Sequence, residues 1–109
     1  MSVRLYLWQR ATAALMVPFV LVHIAVIFYA TRQQMTAADI LSRTHGSAAW
    51  ASFYGVFVAA VSIHASIGVR NILTEWSALA DRAAGWCAIL LGIVLALLGF
   101  QAVISLVLM

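Results

Sequence analysis

Three stretches of about twenty apolar residues, the length needed to cross roughly 30 Å of hydrocarbon, account for most of this chain. They predict helices over residues 11–30, 49–72 and 83–108, joined by two short polar segments. Of the 109 residues 66% are hydrophobic and 8% charged, and the mean hydropathy is +1.08. A soluble domain carries roughly 25% charged residues, and a chain this short could not bury so much apolar surface in its own core. A bilayer accepts that surface, provided the backbone satisfies itself by forming helices. The expected fold class is therefore all-α and integral to a membrane. Residues 1–109 read as a single domain without linker, repeat or low-complexity run.

The first apolar stretch is too long for the 7–15-residue core of a cleaved signal peptide, and no small-x-small site follows it. It is expected to remain as a helix. Tyr6, Trp8, Tyr29, Trp50, Tyr54, Trp76 and Trp86 flank the spans, as interfacial aromatics do. All of the basic residues are arginine. Arg4, Arg10, Arg70 and Arg82 fall on one side of the expected spans and Arg32 and Arg43 on the other, which places the N-terminus in the cytoplasm and the C-terminus outside. No basic run or stripe suggests nucleic acid. The lone Cys87 allows no internal disulfide.

Small residues recur on two of the spans. Gly85, Gly92 and Gly99 alternate with Ala88 and Ala96 on the third, and Gly55, Ala59, Ser62 and Ser66 share a face of the second. Such stripes let helix backbones approach closely, within one chain or between subunits. In the first connecting segment, Thr36 and Asp39 have the spacing of a capping box, which predicts a short surface helix.

Two histidines lie inside the spans, where an ionisable group is costly and by default a functional candidate. His64 has Ala60 one turn before it, and Gly68, Asn71 and Glu75 on nearly the same face. That is clearance for a flat macrocycle, and imidazole is a common axial ligand of haem iron. A histidine hydrogen-bonded to a neighbouring helix explains the position equally well. His23 shares a face with Thr12, Met16, Phe19 and Ile27. It could pack, or ligate a second haem, while its expected depth argues against sharing one iron with His64. His45 reads as a solvated loop residue. Arg10 and Arg70 are either snorkelling anchors or partners of an anionic group such as a haem propionate. Trp76 reads as an interface anchor beside Glu75. There is no P-loop, GxGxxG, CxxC, HExxH or nucleophile triad, so chemistry on soluble substrates would sit on another polypeptide.

Residues 62–76, SIHASIGVRNILTEW, contain the H-x-x-x-G-[IVM] pattern, and residues 8–15, WQRATAAL, contain R-x-T-[AG]. Together they resemble the small membrane-anchor subunits of succinate dehydrogenase, or succinate:quinone oxidoreductase. The likeness covers the first two spans; the third fits in hydrophobicity alone. The resemblance implies a haem b between two small anchors, with His64 as an axial ligand to the iron and Arg10 as a propionate partner. It implies a second membrane-anchor subunit, an iron–sulfur subunit and a flavoprotein subunit as partners. It implies location in a bacterial inner membrane, and quinone (ubiquinone ahead of menaquinone) bound near the cytoplasmic surface. Arg70, Glu75 and Trp76 match the quinone-site region. Where D-type anchors have Asp-Tyr, this chain has Glu75-Trp76, and an indole offers only an N–H donor. Arg70 after Gly68-Val69 follows the C-type pattern, so both anchor types are represented. The alternatives are an anchor for fumarate reductase or another flavoprotein:quinone oxidoreductase, and a cofactor-free structural subunit. A small transporter is disfavoured by the lack of paired acidic residues in the spans.

Overall fold

Each apolar stretch becomes one continuous helix that outruns it at one end or both. A computed structural model describes residues 3–108. The elements are α1 (Val3–Arg32), α2 (Ala37–Thr44), α3 (Ala48–Trp76) and α4 (Asp81–Val107), with no strand among the described residues. α1, α3 and α4 are long and apolar enough to cross a membrane, so the all-α, multi-pass architecture holds. The expected boundaries need correction. α1 starts at Val3 instead of residue 11 and runs to Arg32, α3 continues to Trp76 instead of stopping at 72, and α4 spans Asp81–Val107. Polar residues mark where hydrocarbon ends, not where a helix ends. The 30 residues of α1 reach about 45 Å, the thickness of a bilayer with its headgroups. The long dimension of the molecule, 48 Å, agrees.

α3 is the middle of a row. α1 and α4 each pack on it and scarcely on one another. The α3–α4 seam is built from the small residues. Ser66 Oγ donates to the Ala88 carbonyl at 2.7 Å, and Ala60, Ala84 and Ala88 are buried. A Cβ on Gly92 would lie 3.2 Å from Ser66, and one on Gly99 would meet Val58. The small-residue faces thus pack within this chain. The α1–α3 seam is aromatic instead: Phe19 stacks on Phe53 with centroids 4.9 Å apart and leans on Phe57 at 6.0 Å. Pro18 sits inside α1, where it costs one i→i−4 bond to the Ala14 carbonyl.

α2 forms as its capping box requires. The Thr36 N–H donates to Asp39 Oδ2 at 2.8 Å, and the Asp39 N–H donates to Thr36 Oγ1 at 3.2 Å. Its far end closes over the C-terminus of α4. Thr44 Oγ1 donates to the Leu106 carbonyl at 2.9 Å, and the Gly46 N–H to the Val107 carbonyl at 2.6 Å. Two carbonyls that α4 would otherwise leave orphaned are satisfied this way. Gly46 makes that contact at φ +72°, a conformation that glycine adopts without penalty.

Candidate functional site

Thr12 is the one buried residue among those described in α1, and it faces α3. Its Oγ1 lies 2.7 Å from the Trp8 carbonyl, 3.1 Å from the Gln9 carbonyl and 3.3 Å from His64 Nδ1. A hydroxyl has one proton. The shortest of these contacts takes it, so toward His64 the oxygen acts as acceptor and Nδ1 carries the ring proton. In that tautomer the ring's lone pair is on Nε2. A metal-ligating histidine has this arrangement, with one nitrogen held by an outer partner and the other free to bind. His64 is half-buried, so the ring is held without being sealed in.

One turn further along α3, Gly68 faces α1 as well. A Cβ built there would lie 3.5 Å from Gln9 Nε2. The clearance that the sequence offered beside His64 is occupied on this side by a glutamine, whose Oε1 is buried without a hydrogen-bond partner. Gln9, Thr12, His64 and Gly68 therefore form one polar patch between α1 and α3, in the half of the bundle nearer the N-terminus. Gln9 gave no signal in the sequence, and Thr12 figured there as a neighbour of His23 and as the threonine of the R-x-T-[AG] pattern. The i, i+3 spacing of these two residues, matched to the i, i+4 spacing of His64 and Gly68, was the available clue.

The other candidates disperse. His23 is edge-on to Phe57 and Tyr54, with centroids 5.4 Å and 5.9 Å away. Those two residues lie about 10–15 Å along α3 from His64, so within this chain the two histidines do not meet at one iron. His23 instead borders a crevice of about 430 Å³ between α1, α3 and α4, together with Ser62, Val61 and Leu95. Both His23 Nδ1 and Ser62 Oγ are buried there without partners. Arg10 is exposed and lies over the Tyr6 ring at 5.5 Å. Two residues is about 200° of helix, so Arg10 points away from the face on which Thr12 meets His64. Arg70 lies across the first turns of α4, its Nε 4.0 Å from where a Cβ on Gly85 would be. Glu75 is exposed, and Trp76 is 83% exposed at the end of α3. Among the described residues no three His, Cys, Asp or Glu side chains gather where they could hold a metal ion.

The fold and site define a multi-pass, three-span helical membrane protein with a positioned intramembrane histidine. Compared with known proteins, the chain matches no family model, no curated protein and no solved structure.

Proposed function

We propose that the chain is a haem b-binding membrane anchor of a succinate dehydrogenase-like complex. The observation that supports this reading most is the hydrogen bond between Thr12 and His64, 3.3 Å long. It gives the imidazole the outer partner that a ligating histidine has, with Nε2 the nitrogen that would hold the iron. The residues fit the group in that respect. A haem supplies a one-electron redox centre when bound. His64 would hold it, Thr12 would orient His64, and the exposed Arg10 would be available to a propionate presented from outside the α1–α3 seam. His23 lies at another depth, so within this chain His64 alone would hold the haem, in keeping with a group shared between two anchors.

In this reading the flavoprotein and iron–sulfur subunits dock at the end of the bundle that carries Arg4, Arg10, Arg70 and Arg82, which is cytoplasmic by its arginine excess. The membrane is then a bacterial inner membrane. Quinone, ubiquinone ahead of menaquinone, is reduced near Arg70, Glu75 and Trp76. Fumarate reductase or another flavoprotein:quinone oxidoreductase would use the same anchor.

A second reading has its own support: the Thr12 bond also suits a cofactor-free structural subunit in which His64 pins α1 to α3. A dithionite-reduced-minus-oxidised spectrum of the complex purified through a tag on this chain separates the two, with subunits identified by mass. A low-spin b-type signal that His64→Ala removes or converts to high spin is expected. An unchanged low-spin spectrum in that variant would sink the ligand assignment, and a colourless complex would favour the structural reading.

A further inference from the structure

At the opposite end of the bundle from Thr12 and His64 lies a groove of about 640 Å³, bounded by the last turns of α1, by α2 and by the first turns of α3. That is within the roughly 300–1,000 Å³ typical of ligand pockets. Val26, Ala30 and Ile40 give it apolar walls, and Trp50 and Tyr54, stacked with centroids 5.6 Å apart, line it where α3 begins. Arg43 belongs to the same lining. Its guanidinium lies 5.3 Å over the Tyr29 ring, and its Nη1 meets the Met35 sulfur at 3.8 Å. A thioether is a weak acceptor, and no carboxylate of the described residues pairs with this arginine.

The position says what could fill the groove. α1 ends at Arg32 and α3 begins at Ala48, so the groove lies where hydrocarbon gives way to headgroups. Trp and Tyr prefer that level because one end of each ring system is apolar and the other polar. A ligand for this site needs an anionic head for Arg43 and a long apolar body for the channel beside it. The bilayer supplies such a molecule in quantity. We propose that the groove binds one anionic phospholipid, with its phosphate on Arg43 and one acyl chain lying along Val26 and Ala30 against Ile40. Arg32 provides an internal contrast. It stacks over Phe28 at 5.4 Å at the same end of α1 but is not part of the groove. The proposal does not depend on haem or on the identity of any partner subunit.

The test is native mass spectrometry of the full chain in detergent, titrated separately with dioleoylphosphatidylglycerol, dioleoylphosphatidylcholine and inorganic phosphate. One phosphatidylglycerol should bind about tenfold more tightly than phosphatidylcholine, as expected for hydrogen bonds to a charged group. Arg43→Gln should erase that preference, Arg32→Gln should keep it, and Ala30→Phe should weaken binding of both lipids by filling the channel. Equal affinity for the two lipids in the unmodified chain would overturn the proposal. So would equal losses from Arg32→Gln and Arg43→Gln, which would mean diffuse charge. Competition by inorganic phosphate at the same concentration as lipid would mean a bare anion site and would also overturn it. Should Arg43→Gln fail to fold, an acyl-photoreactive phosphatidylglycerol on the unmodified chain decides. Crosslinks on Val26, Ala30 or Ile40 support the groove, and crosslinks spread over the outer face of α4 defeat it.

Discussion

Gly99 and Val58 meet so closely that a Cβ on the glycine would fall 2.5 Å from Val58 Cγ1 and 2.9 Å from Cγ2. A β-branched side chain has little rotamer freedom on a helix, so the valine cannot swing aside. Gly99→Ala should therefore cost about 1–3 kcal/mol, the usual range for overpacking. Val58→Ala added to it should restore most of the loss. Unfolding of the full chain in mixed detergent micelles, followed by circular dichroism, measures both. Full stability of the single variant would mean that the α3–α4 seam opens more easily than its geometry implies.

The same substitution at Gly68 should behave oppositely. A Cβ there meets Gln9 Nε2 at 3.5 Å, an ordinary van der Waals contact. Gly68→Ala should fold as well as the unmodified chain or better, with up to about 1 kcal/mol gained from helix propensity. A haem signal lost from a stable Gly68→Ala complex would show that the glycine serves a ligand and not the fold.

Thr12→Val removes the acceptor from His64 Nδ1 while keeping the shape of the side chain. The expected cost to the α1–α3 pairing is about 0.5–1.5 kcal/mol. Under the haem reading the variant should also shift the midpoint potential or the low-spin band of the bound haem, because the imidazole loses the partner that orients it. A Thr12→Ser variant, which keeps the hydroxyl, should leave the spectrum as it was. A destabilised Thr12→Val complex with an unmoved spectrum would argue for a purely structural bond.

Two backbone positions invite opposite changes. Gly46→Ala should destabilise the junction of α2 with α4 by about 1–2 kcal/mol, since φ +72° is costly for any side chain with a Cβ. Gln34 pays that cost at φ +53°, where it ends α1 in a left-handed cap. The Met35 N–H reaches the Ala30 carbonyl at 3.0 Å and the Gln34 N–H the Thr31 carbonyl at 3.1 Å, the pattern of a Schellman motif. Gln34→Gly should stabilise by about 0.5–1 kcal/mol after the extra entropy of glycine is counted. Thermal midpoints of the two variants in one detergent should move in opposite directions.

Asp39 gives the surface helix a pH dependence. The hydrogen bond from the Thr36 backbone N–H, and then the one with the Thr36 side chain, hold its carboxyl below the usual aspartate range. A depressed folded-state pKa contributes stability that is complete above the unfolded value and lost as pH falls through the folded one. The cap of α2 should therefore persist through neutral pH and weaken only in acid, below the ordinary carboxylate range. The amide proton shift of Thr36, followed by NMR from neutral pH into that range, should report the loss. Asp39→Asn should flatten the titration, and a titrating signal in that variant would point to another group.

Much of the architecture was legible because it follows from solvent. Spans of the right length, aromatic flanks, small-residue faces and the Thr36–Asp39 box all translate directly into helices, their packing and a cap. The helix ends were not legible, because Arg4 and Trp76 continue a helix beyond the hydrocarbon without changing its hydrogen bonding. Arg10 was a propionate partner by resemblance, and what the sequence did not show is that about 200° of helix separates it from Thr12. Gln9 gave no signal, since a lone glutamine near a helix end is ordinary until Gly68 is seen opposite it. The depth of His64 was apparent, whereas its tautomer depends on a hydroxyl fifty-two residues away in sequence.

The row formed by α1, α3 and α4 also has a history during synthesis. α1 precedes α3 in the chain, so its face with Thr12, Phe19 and His23 meets its partner within this chain only once α3 has been made. α3 and α4, separated by residues 77–80 and zipped by Ser66 and the glycines opposite it, can leave the insertion machinery together as a hairpin. The polar contact to His64 therefore joins parts of the chain made at different times, and closing it unites α1 with the α3–α4 pair.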